Sequence, residues 1–378
     1  MIYLDNAATS FLKPACVREA VMQAFDTMGN CGRGVNGASL TAARTIYGAR
    51  EKLCAFFGGP RPEHVIFTSG ATEALNEAIF GLFGPGDHVI TTALDHNSVL
   101  RPLHMLEDRG TEISVLPADA DGVPCYEQLP DLVKSNTKGI VCTHASNLTG
   151  QLVDTAVMAG VAKAHGLLFI LDAAQTAGAR PLTLATSGAD VICFTGHKSM
   201  LGPQGTGGII FRDGMDFTPY KAGGTGIRSY DRLQPERYPE RLEAGTLNGH
   251  GIAGLGAAVD YLGGERVPAI QRHEYALLTR FVDGVRTIPR VTLYGRFAGD
   301  HAPVAALNVG DLDSAEVGSI LSGEFDIAVR TGAHCAPLMH KALGTVDRGA
   351  VRFSFGAFKT AEDVDAALEA LGRIASDA

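Results

Sequence analysis

From residue 64 to 212 the chain alternates short apolar runs with amphipathic stretches, and this rhythm narrows the fold more than any other feature. "HVIFTS" (64–69), "DHVITTA" (87–93), "TEISVLP" (111–117), "KGIVCTHAS" (138–146), "GLLFILDAA" (166–174), "ADVICFTG" (189–196) and "TGGIIFR" (206–212) read as strands. "TEALNEAIFGLF" (72–83) and "NSVLRPLHMLEDRG" (97–110) carry helical spacing between them. Strands separated by helices predict a mainly parallel sheet covered on both faces.

After residue 245 the pattern changes. "GHGIAGLGAAVDYLGG" (249–264) and "VPAIQRHEYALLTRFVDGVRTI" (267–288) are helical, while "VTLYG", "PVAALNVG" and "IAVRTG" read as strands of a smaller α+β unit. The last helix begins after Thr360, its expected N-cap. This predicts residues 1–15 as a segment joining the small domain, 16–245 as a large domain and 246–378 as the small one. A chain of 378 residues has room for both.

The formal net charge of −9 comes with no run of like charges, which argues against a nucleic-acid surface or a membrane-binding face. The N-terminus lacks an apolar signal core and no apolar run reaches spanning length, so the cytoplasm is the expected location. Seven cysteines at wide spacings, without C-x-x-C, fit reduced thiols. No metal is expected.

"GRGVNG" (32–37) matches a dinucleotide-binding pattern in its letters. That pattern works only between a strand and a helix, and here a helical stretch precedes it. A loop between helices is the favoured reading, and a nicotinamide dehydrogenase stays a distant alternative.

"GHKSMLGPQGTGG" (196–208) sets one lysine, Lys198, between an apolar strand and a glycine-rich turn. A lysine there suits a Schiff base with an aldehyde cofactor such as pyridoxal phosphate. Such a cofactor needs donors for its phosphate, an acid at its pyridine nitrogen and a flat partner for its ring. Gly70, Ala71 and Thr72 stand at a strand–helix junction, where backbone N–H groups favour an anion. Asp172 ends an apolar strand, and His96 follows another. Each has a plainer reading alone, as a cap or a structural histidine; their recurrence at strand ends of one sheet favours the cofactor.

Together these segments, with "YLDNAATS", "SGATEA", "SN-x-x-G", "DAAQ", "GHK" and "EAGT" in order, resemble pyridoxal-phosphate enzymes of fold type I. The resemblance is to the class-V aminotransferase superfamily, specifically cysteine desulfurases and selenocysteine lyases, and runs nearly the whole chain. It implies a large domain with a mainly parallel seven-stranded sheet and a smaller α+β C-terminal domain. It makes Lys198 the cofactor-bearing lysine, and Ala71, Thr72, Thr195 and His197 the phosphate ligands. Asp172 would pair with the ring nitrogen, Gln175 with the ring hydroxyl, and His96 would stack on the ring and shuttle protons. Asn147 would lie beside cofactor and substrate. Gly245 and Thr246 would reach the neighbouring subunit's phosphate, so a homodimer is implied.

"RTGAHCAPLM" (330–339) resembles the active-cysteine motif of the desulfurase group with a short, ordered catalytic loop. His334 and Arg330 beside Cys335 predict electropositive company that favours thiolate. Arg352 matches the arginine that clamps the substrate α-carboxylate, with Arg330 as a helper. The implied reaction takes L-cysteine to L-alanine, leaves the sulfur on Cys335 and hands it to a small acceptor protein. Gly32 and "GGTGIRS" (223–229) depart from the relatives' pattern near the substrate. A selenocysteine lyase, or another C–S lyase in which Cys335 is not essential, therefore stays open.

Overall fold

Residues rich in valine, isoleucine and phenylalanine build the central strands, and these carry the site. The computed structural model describes residues 1–31, 34 and 36–377. Along the chain come β1 (Ile2–Tyr3), α1 (Ala15–Thr27), α2 (Gly37–Phe57), β2 (Val65–Thr68), α3 (Ala71–Leu82), β3 (His88–Thr92) and α4 (Asn97–Glu107). Next are β4 (Glu112–Leu116), β5 (Thr137–Thr143), α5 (Thr155–His165), β6 (Leu168–Asp172), α6 (Leu184–Ser187), β7 (Val191–Thr195) and β8 (Gly207–Phe211).

Strands β2 to β8 form one sheet of seven in the order β2-β8-β7-β6-β5-β3-β4. Only β8 runs antiparallel to its neighbours β2 and β7. Strands β2, β3, β7 and β8 are buried along their whole length, as helices on both faces require. The α/β architecture and the seven strands are those expected from the sequence.

The remainder comprises α7 (Gly249–Leu262), α8 (Arg266–Val285), β9 (Val291–Tyr294), β10 (Val304–Val309), α9 (Ser314–Phe325), β11 (Ile327–Ala328), β12 (Arg330–Gly332), α10 (Pro337–Ala342), β13 (Ala350–Ser354) and α11 (Ala361–Asp377). Strands β12-β13-β10-β9 make an antiparallel sheet. Phe281, Leu307, Phe353 and Leu371 form its core with Leu4 of the N-terminal segment. Helix α7, which follows residue 245, packs instead on α1 and α2 and puts Ile252 and Leu255 into the large-sheet core. Thr360 caps α11 as expected: its Oγ1 accepts from Asp363 N, and Asp363 returns the bond to Thr360 N.

The first ten residues lie between the two sheets. β1 pairs in parallel with β11, Asp5 bridges to Ser354 of β13, and Ser10 N donates to His197 O of the large domain. Of the dinucleotide-like letters, Gly32, Arg33 and Val35 lie outside the described residues. What comes before them is helix α1, not the strand such a motif needs.

Candidate active site

Every strand of the large sheet except β8 points its C-terminal end to one side, where ligand crevices of α/β sheets form. A cavity of about 220 Å³ opens there, lined by Thr72, His96, Asn147, Asp172, Thr195 and Lys198, with Ala71, Gln175 and His197 also in its wall. These nine residues, separated by up to 127 positions in the sequence, are brought to one place by the ends of β2, β3, β5, β6 and β7.

One end is built for an anion. Gly70, at φ 157°, turns the chain from β2 into α3 and brings no side chain to cap the helix. The first-turn N–H groups therefore depend on something outside the helix. A Cβ on Gly207 would sit 2.6 Å from Gly70 Cα, so β8 must carry glycine for the turn to pass. Thr195 Oγ1 is buried with no hydrogen-bond partner. Thr72 Oγ1 lies 2.8 Å from Ser98 Oγ.

Ser98 also joins that end to the histidine. His96 caps α4: its Nδ1 accepts from Ser98 N at 3.0 Å and lies 2.9 Å from Ser98 Oγ. Burial, reinforced by the charge of Lys198, lowers its pKa to about 4. A neutral ring that accepts at Nδ1 carries its proton on Nε2. Sequence reasoning passed over Ser98. Its position two residues after His96, at the second turn position of a helix, was the available signal.

Lys198 follows β7. Burial lowers its pKa to about 8 against the opposing pull of Asp172. Asp172, buried at the end of β6, is raised by burial and accepts from Ala174 N at 2.9 Å. Gln175 Nε2 donates to Ala7 O at 3.1 Å, so the N-terminal segment fixes it. His197 Nδ1 lies 3.1 Å from Thr9 Oγ1, and burial followed by the charges of Lys198 and Lys13 lowers its pKa to about 4.

The cysteine loop reaches the same place from the end of β12 in the four-stranded sheet. His334 and Cys335 both adopt left-handed backbone, at φ 51° and 56°. Such a pair persists only when neighbours hold it. Asn147 Nδ2 donates to His334 O at 2.7 Å, and Asn97 N donates to Cys335 O at 2.9 Å. Cys335 is thus tied to the residue next to His96. The expectation of a positive His334 needs correction. Burial, with the charge of Arg352, lowers its pKa to about 3, and its Nε2 faces Arg330 O at 3.2 Å. The ring is neutral because it is enclosed.

Arg352 is 2% exposed and does not line the cavity. Its Nη1 donates to Asn147 O at 2.9 Å and its Nη2 to Asp5 Oδ1 at 2.6 Å. Asp5 was not singled out from the sequence; it sits in the quoted "YLDNAATS" but meets Arg352 only through the fold. Arg330, opposite Arg352 on β12, is exposed. Gly245 and Thr246 are exposed too, and Gly245 lines a separate surface cavity of about 400 Å³ with Arg50, Tyr238 and Glu243.

Comparison with known proteins agrees with this geometry. The aminotransferase class-V family model matches residues 2–367. A probable cysteine desulfurase of Methanothermobacter thermautotrophicus is 33% identical over 99% of this chain and 94% of its own length. A cysteine desulfurase of Pectobacterium carotovorum is 34% identical over 99% and 93%. The apo structure of a cysteine desulfurase from Thermococcus onnurineus superposes with a TM-score of 0.91 at 32% identity, covering 100% of this chain and 95% of that one. By its lysine cavity, its sheet and its match along nearly the whole sequence, the chain belongs to the class-V aminotransferase family.

Proposed function

We propose that this protein is a pyridoxal-phosphate-dependent cysteine desulfurase that converts L-cysteine to L-alanine and takes the sulfur onto Cys335. The observation that carries this reading is the tie between cavity and thiol loop, made by Asn147 to His334 and by Asn97 to Cys335. The similarity to named cysteine desulfurases along almost the full length supports it.

The donor set fits the cofactor. An uncapped helix start, the unpartnered hydroxyl of Thr195 and Thr72 suit a phosphate, and a buried carboxylate, Asp172, lies in the same cavity as Lys198. When bound, pyridoxal phosphate supplies a carbonyl carbon that amines attack and a ring that accepts electron density.

The chain's own residues do the rest. Lys198, with its lowered pKa, exchanges a proton at the substrate α-carbon. Asp172 would hold a proton at the ring nitrogen, and Gln175 and Asn147 would meet the ring's polar groups. His96, in the cavity wall, would stack on the ring and offer its Nε2 proton to the substrate. Arg352, assisted by Arg330, receives the α-carboxylate. Cys335 Sγ attacks the substrate sulfur: an S–S bond forms, the Cβ–S bond breaks, and its electron pair stays with Cβ. That carbon takes a proton and alanine leaves.

The same reading makes the enzyme a cytoplasmic homodimer. The exposure of Gly245 and Thr246, away from the cavity of their own chain, supports their reaching a neighbour. A small acceptor protein would remove the sulfur. Among the described residues no helix is long and apolar enough to cross a membrane.

The test is product analysis of the holoenzyme with L-cysteine and with L-selenocysteine, with and without a thiol reductant. Alanine, with sulfide released only after reductant, is the expected result from cysteine. Pyruvate and ammonia, or alanine from selenocysteine alone, would contradict it.

A further inference from the structure

The guanidinium read above as the seat of the substrate carboxylate already holds a carboxylate of its own chain. Asp5 reaches Arg352 Nη2 through a single oxygen, Oδ1, at 2.6 Å. Its backbone is bridged to Ser354, two residues along β13 from Arg352, and Asn6 Nδ2 donates to Ser354 O at 3.0 Å. Arg330 stands directly opposite Arg352 in the β12–β13 register. Like charges facing each other across strands are destabilising, so an anion is needed between the chain segments that meet here.

Three features make Asp5 exchangeable and not a fixed support. Its carboxylate has no other hydrogen-bond partner among the described residues. Its side chain is 18% exposed against 2% for Arg352, so it can turn to solvent at small desolvation cost while the arginine stays. Arg352 Nε is buried without a partner among the described residues, so the fork holds less than a bidentate carboxylate would take.

We propose that Asp5 is a built-in stand-in for the substrate α-carboxylate. An amino acid bound in the cavity extends its α-carboxylate past Asn147, whose backbone O accepts from Arg352 Nη1. It displaces Asp5 from Nη2 and completes the fork, and this competition sets substrate affinity. The proposal rests on the reading of Arg352 as the carboxylate seat. The specificity it implies is for ligands whose α-carboxylate is free and ionised.

The experiment measures L-alanine binding to the holoenzyme by calorimetry, with L-alaninamide as the ligand lacking the charge. Asp5→Asn removes the competing charge and keeps the shape. It is expected to bind alanine about tenfold tighter, with KM for cysteine falling in parallel and alaninamide binding unchanged. Asp5→Glu, which restores the charge, should return alanine affinity towards wild type. Asp5→Ser serves as a second neutral variant should Asp5→Asn fold poorly, and each is used only where its melting temperature matches wild type. Equal or weaker alanine binding in both neutral variants would overturn the proposal and make Asp5 a support for Arg352. Unchanged alanine binding in Arg352→Gln would instead overturn the carboxylate seat itself, a separate result that the Asp5 variants do not mimic.

Discussion

Asn147 donates from its amide to the carbonyl of His334 at 2.7 Å, across 187 positions of sequence. That bond links the segment after β5, in the wall of the Lys198 cavity, to a loop in left-handed backbone that presents Cys335. The cavity and the thiol are therefore positioned together.

Replacing Asn147 by Ala should release the loop without unfolding the chain. A reacting group displaced by about 1 Å costs on the order of 10²-fold in rate. We expect alanine formation from cysteine to fall by about that factor, with the melting temperature near wild type. Wild-type turnover would show that Asn97 alone holds the loop.

Asp172 separates two roles. If it only caps the turn at Ala174, Asp172→Asn should lower stability slightly and leave the reaction alone. If it keeps the ring nitrogen protonated, the variant should bind pyridoxal phosphate and turn over at least about 10²-fold slower, the usual range for a lost proton-holding group. Cofactor absorbance and alanine formation, measured on one preparation, distinguish the two.

Lys198 predicts a pH dependence. Only the neutral amine attacks an aldehyde, and burial lowers the lysine pKa to about 8. The rate at which cofactor-free protein takes up pyridoxal phosphate should rise with pH, with a midpoint near 8 and a plateau above it. A midpoint near the ordinary lysine value would mean that the amine is solvated. Lys198→Ala should show no such titration and no turnover.

Gly207 lets β8 pass beneath the turn at Gly70. A methyl group there would meet Gly70 Cα at 2.6 Å and Phe194 O at 2.6 Å. Neither backbone can move alone, so Gly207→Ala should cost about 1–3 kcal/mol in urea unfolding and weaken cofactor retention. Unchanged stability would show that the junction is looser than its contacts imply.

What the sequence disclosed follows from how each residue acts. Lys198, Asp172, His96 and Thr72 lie in the cavity wall at or just past strand ends, so a local pattern of apolar run and polar residue exposes them. Asp5 and Ser98 act through partners. Asp5 meets Arg352 only because the chain just after β1 is bridged to β13, and Ser98 matters because α3 and α4 start next to each other. The charge of His334 was misjudged because letters do not show enclosure. Its neighbours Ala333, Cys335 and Ala336 give no sign of a cover, yet the ring is 5% exposed and stacked on His340.

Attack of Cys335 on the substrate sulfur is the step on which the proposed reaction stands. The direct measurement is mass spectrometry of the holoenzyme after brief exposure to L-cysteine, compared with Cys335→Ser. The peptide containing Cys335 should carry one added sulfur, removable by reductant, and the serine variant should bind cysteine yet form almost no alanine. Added sulfur confined to Cys31 or another thiol, or undiminished alanine from Cys335→Ser, would contradict it.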